Sequence, residues 1–149
     1  MAIKSIKPRE WVVVCDGGKA LVLENIGDTA HANLKTREAH EHRDLPTRAQ
    51  GTDAPGRTTG SVGNMRSAMD QTDWHERAEQ AFLQDLAKRL DVAVTSGAAK
   101  SLIIAAPPRA LGILRAAYTP ALREAVRAEV DKDLVGMPIG EIEKRLMAA

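Results

Sequence analysis

The sequence predicts an α/β protein built on a mixed five-stranded sheet, and three observations carry that prediction. The run Trp11-Val12-Val13-Val14-Cys15, closed by Asp16-Gly17-Gly18, is apolar without alternation and rich in β-branched Val. That is the pattern of a strand buried on both faces and ended by a tight turn. A longer amphipathic stripe, from about Asp73 to Gly97, has helical spacing. A second short apolar run, Ser101 to Ala106, follows it, and a helical crossover makes that run parallel to the first strand and its neighbour.

Lys19 to Asn25 reads as a second strand, because a turn as short as Gly17-Gly18 permits only an antiparallel hairpin. Ile26-Gly27-Asp28 is a further turn signal, and His31 to Ala39 alternates as a charged edge strand. From residue 43 to about 70 the periodicity is lost among four glycines and two prolines, which predicts a long, flexible Gly/Arg loop. Loops of that length inside a compact domain are usually functional or disordered. Asp73 then fits a helix N-cap, with Glu76 closing a capping box, and Ala78, Phe82, Leu86 and Leu90 form the inward stripe. Pro107-Pro108 opens a helix over Arg109 to Tyr118. Thr119-Pro120 interrupts it, Ala121 to Val126 supplies another turn or two, and Ala128 to Leu134 alternates as a last strand. Pro138 opens a closing helix with Ile139, Ile142 and Leu146 on one face. The order βββ, loop, α, β, α, β, α implies a sheet ordered 3-2-1-4-5 with strand two antiparallel and helices on its faces, a ribonuclease H-like arrangement.

At 149 residues the chain is the size of one domain, and a single core suffices. Hydrophobic residues make up 44% and charged residues 28%, which is ordinary for a globular protein. A net charge of +1 means that any affinity for polyanions has to come from a local patch. No apolar run approaches the length of a membrane span, and the start has no signal-peptide pattern, so the expectation is a soluble, cytoplasmic protein. The single cysteine, Cys15, lies in the buried strand and reads as a small core hydrophobe.

Six short motifs, taken together and in order, resemble the bacterial host attachment protein family. They are Trp11 to Ala20, Arg43-Asp44-Leu45, Pro55-Gly56-Arg57, Asp73-Trp74-His75-Glu76, Ala106 to Gly112, and Glu129 to Leu134. That family is similar to the middle domain of the class I translation release factors of archaea and eukaryotes. There a β-meander leads into a loop carrying Gly-Gly-Gln and then a long helix. The matching segment here reads Gly56-Arg57-Thr58-Thr59-Gly60-Ser61, so peptidyl-tRNA hydrolysis is not carried over. The resemblance implies a ribosome or structured-RNA partner, and it marks Asp16, Gly17, Asp44, His75, Glu76, Lys132 and Asp133 as motif residues without an assigned role.

Read for chemistry, the chain offers little catalysis. Two-metal nuclease work needs converging carboxylates at neighbouring strand ends, and strand four ends in Ala105-Ala106-Pro107. His75-Glu76 lacks the second histidine of a zinc protease motif, and the loop glycines lack the Lys-Ser/Thr of a phosphate-binding loop. No metal, cofactor or catalytic residue is assigned. The leading expectation is a non-enzymatic, release-factor-like domain that binds ribosome or RNA through its arginines. Arg43, Arg48, Arg57 and Arg66 face only Asp44 and Asp53 in the loop, Ser61 lies near the loop tip, and Arg109 stands at a helix start suited to phosphate. The alternative is a protein-interaction or attachment-related factor, homodimeric in one form, and a hydrolase of unassigned substrate comes third.

Overall fold

The computed structural model describes residues 5–41 and 60–148, with side chains described over 5–41 and 74–147. Five strands form one sheet: β1 (Trp11–Cys15), β2 (Lys19–Asn25), β3 (Leu34–Glu41), β4 (Leu102–Ala105) and β5 (Val126–Val130). Their order is β3-β2-β1-β4-β5. The β1–β2 and β2–β3 pairs are antiparallel, whereas β4 runs parallel to both β1 and β5. Among the described residues four helices accompany the sheet: α1 (Gly60–Thr95), α2 (Pro108–Ala117), α3 (Pro120–Ala125) and α4 (Ile139–Ala148). The expected strand order and directions are those observed.

Every residue of β1 is buried, and its alternation divides the core into two layers. Trp11, Val13 and Cys15 meet Leu83, Leu86 and Leu90 of α1 and Leu111, Leu114 and Leu122 of α2 and α3. Val12 and Val14 face the other way, toward Ile6, Leu134 and the α4 residues Ile142 and Leu146. Each large aliphatic side chain so buried contributes roughly 1.5–3 kcal/mol, which is why a continuous apolar run is needed at the sheet's centre. At the charged edge, Arg37 lays its guanidinium over the Trp11 ring at 4.6 Å while bonding Glu24 at 2.9 Å.

Three boundaries differ from the sequence-based expectation. The edge strand spans Leu34–Glu41 rather than His31 to Ala39, because the Ile26–Asn33 turn extends further than its sequence signal and the Ile26 amide donates to the Asn33 carbonyl at 2.9 Å. The helix expected to start at Asp73 begins at Gly60, so Asp73 is not its N-cap, Glu76 closes no capping box, and the final part of the expected 43–70 loop is helical. Met65, Arg66, Ala68, Met69 and Gln71 are good helix formers, and an isolated Gly63 costs only about 1 kcal/mol against them. The last strand spans Val126–Val130 rather than Ala128 to Leu134. Asp131, Lys132 and Asp133 are exposed beyond it, because three consecutive charges cannot alternate into two apolar layers. The chain turns there, and Leu134 is buried on the α4 side instead.

Candidate functional site at the carboxyl edge of the sheet

The parallel strands β1, β4 and β5 all end at one edge, and in open α/β sheets that edge, where the strand order changes direction, is the usual place for ligands. Between β1 and β2 the chain reverses through Asp16-Gly17-Gly18. Asp16 Oδ1 accepts hydrogen bonds from the Gly18 and Lys19 amides, both at 2.8 Å, and the Asp16 amide donates to the Lys19 carbonyl at 2.9 Å. The Asp16 carboxylate is therefore a turn-forming group.

Gly17 has a separate reason to be glycine. A Cβ there would lie 2.7 Å from Glu79 Cδ, so the absence of a side chain lets α1 bring Glu79 down onto the turn. One helical turn earlier stands Glu76, and the two carboxylates flank Arg109, at 3.9 Å for Glu76 and 3.8 Å for Glu79. Arg109 is placed by the sequence around it: Pro107 ends the β4 exit and Pro108 is the first residue of α2. All three charged side chains are more than one-third exposed, so these long ion pairs are weak and exchangeable.

Asp133 completes the edge. It accepts from the Val135 amide at 3.4 Å, and its charge is felt at Cys15. Burial pushes the Cys15 thiol up to about 12, with the charges of Asp16 and Asp133 adding to the effect. A thiol so placed is not a nucleophile near neutral pH. Lys132 is exposed beside Asp133, and His75 meets Trp74 edge to face at 5.8 Å. Among the described residues no three His, Cys, Asp or Glu side chains gather as a metal site.

The structure thus brings together Asp16, Gly17, Glu76, Arg109 and Asp133 from four separate motifs. Arg43, Asp44, Arg48 and Arg57 lie outside the described residues, and so do the side chains of Ser61 and Arg66, whose backbone belongs to α1. Sequence reasoning missed Glu79. Its spacing of three from Glu76 was the available signal, since such residues share a helix face. Also missed was a cluster at the opposite end of the sheet, where the fully buried Glu10 carboxylate receives Arg127 Nε at 2.7 Å and the Ser101 hydroxyl at 2.5 Å. Those partners are distant in sequence, and no local pattern announces them.

No curated protein matches the chain. The family model described as bacterial archaeo-eukaryotic release factor family 12 matches residues 9–146, a span that holds all five strands and the edge just described. The chain therefore belongs to bacterial archaeo-eukaryotic release factor family 12.

Proposed function

We propose that this protein is a non-enzymatic release-factor-like domain that binds ribosome or structured RNA through the arginines of the 43–66 segment, with Arg109 at the root of that segment. The observation that carries the reading is the pairing of Glu41 with Lys19, which brings the end of β3 beside the Asp16 turn at the carboxyl edge. The chain that follows holds Arg43, Arg48 and Arg57, and it returns through α1, which passes the same edge at Glu79. An α-helix rises about 1.5 Å per residue, so the turns from Gly60 to Glu79 amount to roughly 28 Å of helix axis. That is reach enough to hold a contact well away from the sheet.

Family membership supports the ribosome as partner, and the charge pattern supports the arginines as the contact. Asp16, Glu76, Glu79 and Asp133 make the edge acidic, with only Lys19, Lys132 and Arg109 as exposed cations beside them among the described residues, so on this reading most of the attraction for phosphate comes from the arginines of the 43–66 segment. Arg109 can exchange its loose carboxylate partners for a phosphate oxygen, a pairing that suits the guanidinium fork. Without Gly-Gly-Gln, this reading contains no hydrolytic step.

Co-sedimentation with ribosomes and with total RNA across a salt series tests it, alongside an Arg57→Ala, Arg66→Ala double variant. The expected result is binding that weakens steeply with salt and is lost in the variant. Absence of binding at low salt, or full retention in the variant, refutes the reading. One observation favours a protein-interaction or attachment-related role as the second reading: a groove of about 730 Å³ between β3 and α1, lined in part by Phe82, Leu86 and the 62%-exposed Val92. A mass in sedimentation equilibrium that rises with concentration and falls in Val92→Glu supports that role.

A further inference from the structure

We propose that the amino end of the sheet and the outer flank of β5 form a second, separate track for the phosphate backbone of RNA. Two open grooves meet there. One, of about 720 Å³, is lined by Lys7, Arg9 and Lys100 together with Glu10 and Glu24. The other, of about 410 Å³, is lined by Arg115, Arg123 and Arg127 together with Tyr118 and Glu129. They abut because Glu10, in the wall of the first, is bonded through both oxygens to Arg127, in the wall of the second, at 2.7 and 2.8 Å. The two neighbouring grooves together carry six cations against three carboxylates, in a chain whose net charge is only +1.

The three carboxylates are already engaged. Glu10 is fully buried, Glu24 lies between Arg9 and Arg37, and Glu129 receives Arg115 Nε and the Tyr118 hydroxyl, each at 2.7 Å. The cations are turned outward: the Arg9 side chain is 78% exposed and that of Arg115 is 53% exposed. Lys7, Lys100 and Arg123 are exposed and have no carboxylate partner among the described residues. Arg115 and Arg127 are held by their acids, so their remaining N–H groups are pre-oriented and lose little freedom on meeting a phosphate. Arg123 lies over the Tyr118 ring at 5.6 Å, which offers a flat, cationic surface to a base. Apart from Tyr118 and Val126, no large apolar side chain lines either groove, so a lipid surface or an apolar partner is a poor fit.

Backbone strain adds an independent sign. Arg9 has φ +66°, a left-handed conformation that an arginine adopts at a cost on the order of 1 kcal/mol, and there it places a cation on the track. A row of cations across two joined grooves suits a polyanion better than a single small anion. The track lies at the opposite end of the strands from Arg109 and shares with the reading above only the choice of RNA as ligand.

Fluorescence anisotropy with a labelled single-stranded RNA oligonucleotide over a potassium chloride series tests the proposal. The variants are Lys7→Ala/Lys100→Ala/Arg123→Ala, a charge-matched control Lys35→Ala/Lys88→Ala/Lys144→Ala, and Arg57→Ala/Arg66→Ala. The track variant is expected to lose affinity by at least about tenfold and to flatten the plot of log K against log salt by about 2, while the control keeps both. Arg9→Gly relaxes the backbone, so it is expected to bind more weakly while unfolding at the same temperature or higher. Equal affinity and slope in the track variant and the control overturn the track, as does an absence of RNA binding by the unmodified protein. Loss confined to Arg57→Ala/Arg66→Ala overturns the track and leaves the 43–66 reading standing. Loss confined to the track variant does the reverse.

Discussion

Replacing Glu10 by glutamine should cost about 3 kcal/mol of stability at neutral pH. The Glu10 side chain is 0% exposed, and its oxygens accept from Arg127 Nε and Nη2, the Ser101 hydroxyl and the Lys7 amide at 2.5–3.0 Å. Removing one partner of a buried pair typically costs about 3–5 kcal/mol. The Arg127 side chain keeps 31% exposure, so water recovers part of its solvation, which sets the expectation at the low end. In a domain of this size, 3 kcal/mol corresponds to a fall in Tm of roughly 6–12 °C. Urea unfolding followed by tryptophan fluorescence, to which the buried Trp11 contributes, reads the loss, and a cycle with Arg127→Met isolates the pair. The double variant should lose at least about 1 kcal/mol less than the sum of the single losses. The pH dependence has a definite sign. Burial by itself would raise the Glu10 carboxyl, but the hydrogen bonds from Arg127, Ser101 and the Lys7 amide outweigh it and hold the group below its ordinary value of 4.5. Its contribution is therefore complete above that ordinary value and is lost as pH falls through the lower, folded-state value. The stability gap between the unmodified protein and the Glu10→Gln variant should hold from pH 7 to about 5 and close below. A loss under about 0.5 kcal/mol, an additive cycle, or a gap that widens in acid refutes the reasoning.

Three further outcomes are expected. Gly17→Ala should cost under about 1 kcal/mol, because the clash is with the far end of the flexible Glu79 side chain, whereas Gly27→Ala should cost about 2–4 kcal/mol, because its Cβ would lie 2.3 Å from the His31 carbonyl oxygen. Chemical denaturation of the two variants side by side checks the contrast, and equal losses would contradict it. Cys15 should resist iodoacetamide at pH 8 in the folded protein and react once it is unfolded, since a thiol at about 12 holds a thiolate fraction on the order of 10⁻⁴. Rapid labelling of the native protein, measured by intact mass, would count against its burial. Asn25→Asp should destabilise by about 2 kcal/mol or more, because the buried Asn25 amide donates to the Ile6 and Lys7 carbonyls at 3.0 and 3.1 Å and a carboxylate cannot. A thermal melt within about 2 °C of the unmodified protein would contradict that assignment.

By itself the sequence determined the sheet. A run of five apolar residues that does not alternate, rich in Val and closed by Asp-Gly-Gly, fits a strand covered on both faces better than a helix, and two-residue turns and helical crossovers leave few arrangements for its neighbours. Asp16, Gly17 and Arg109 were legible for the same reason, since turn chemistry and proline placement act over a few residues. The start of α1 was not. Gly60, Gly63 and Asp73 each look like interruptions, yet each costs a helix little beside the good helix formers around them, and the stripe beyond Glu79 anchors the whole on the sheet. Tertiary structure alone decided which charges meet. Glu79 comes onto Gly17, and Glu10 meets Arg127 and Ser101, only because the sheet aligns strand ends that are far apart in the chain. Charge interactions depend on distance in space and on burial, and hydrophobic spacing along a sequence encodes neither for residues on different strands.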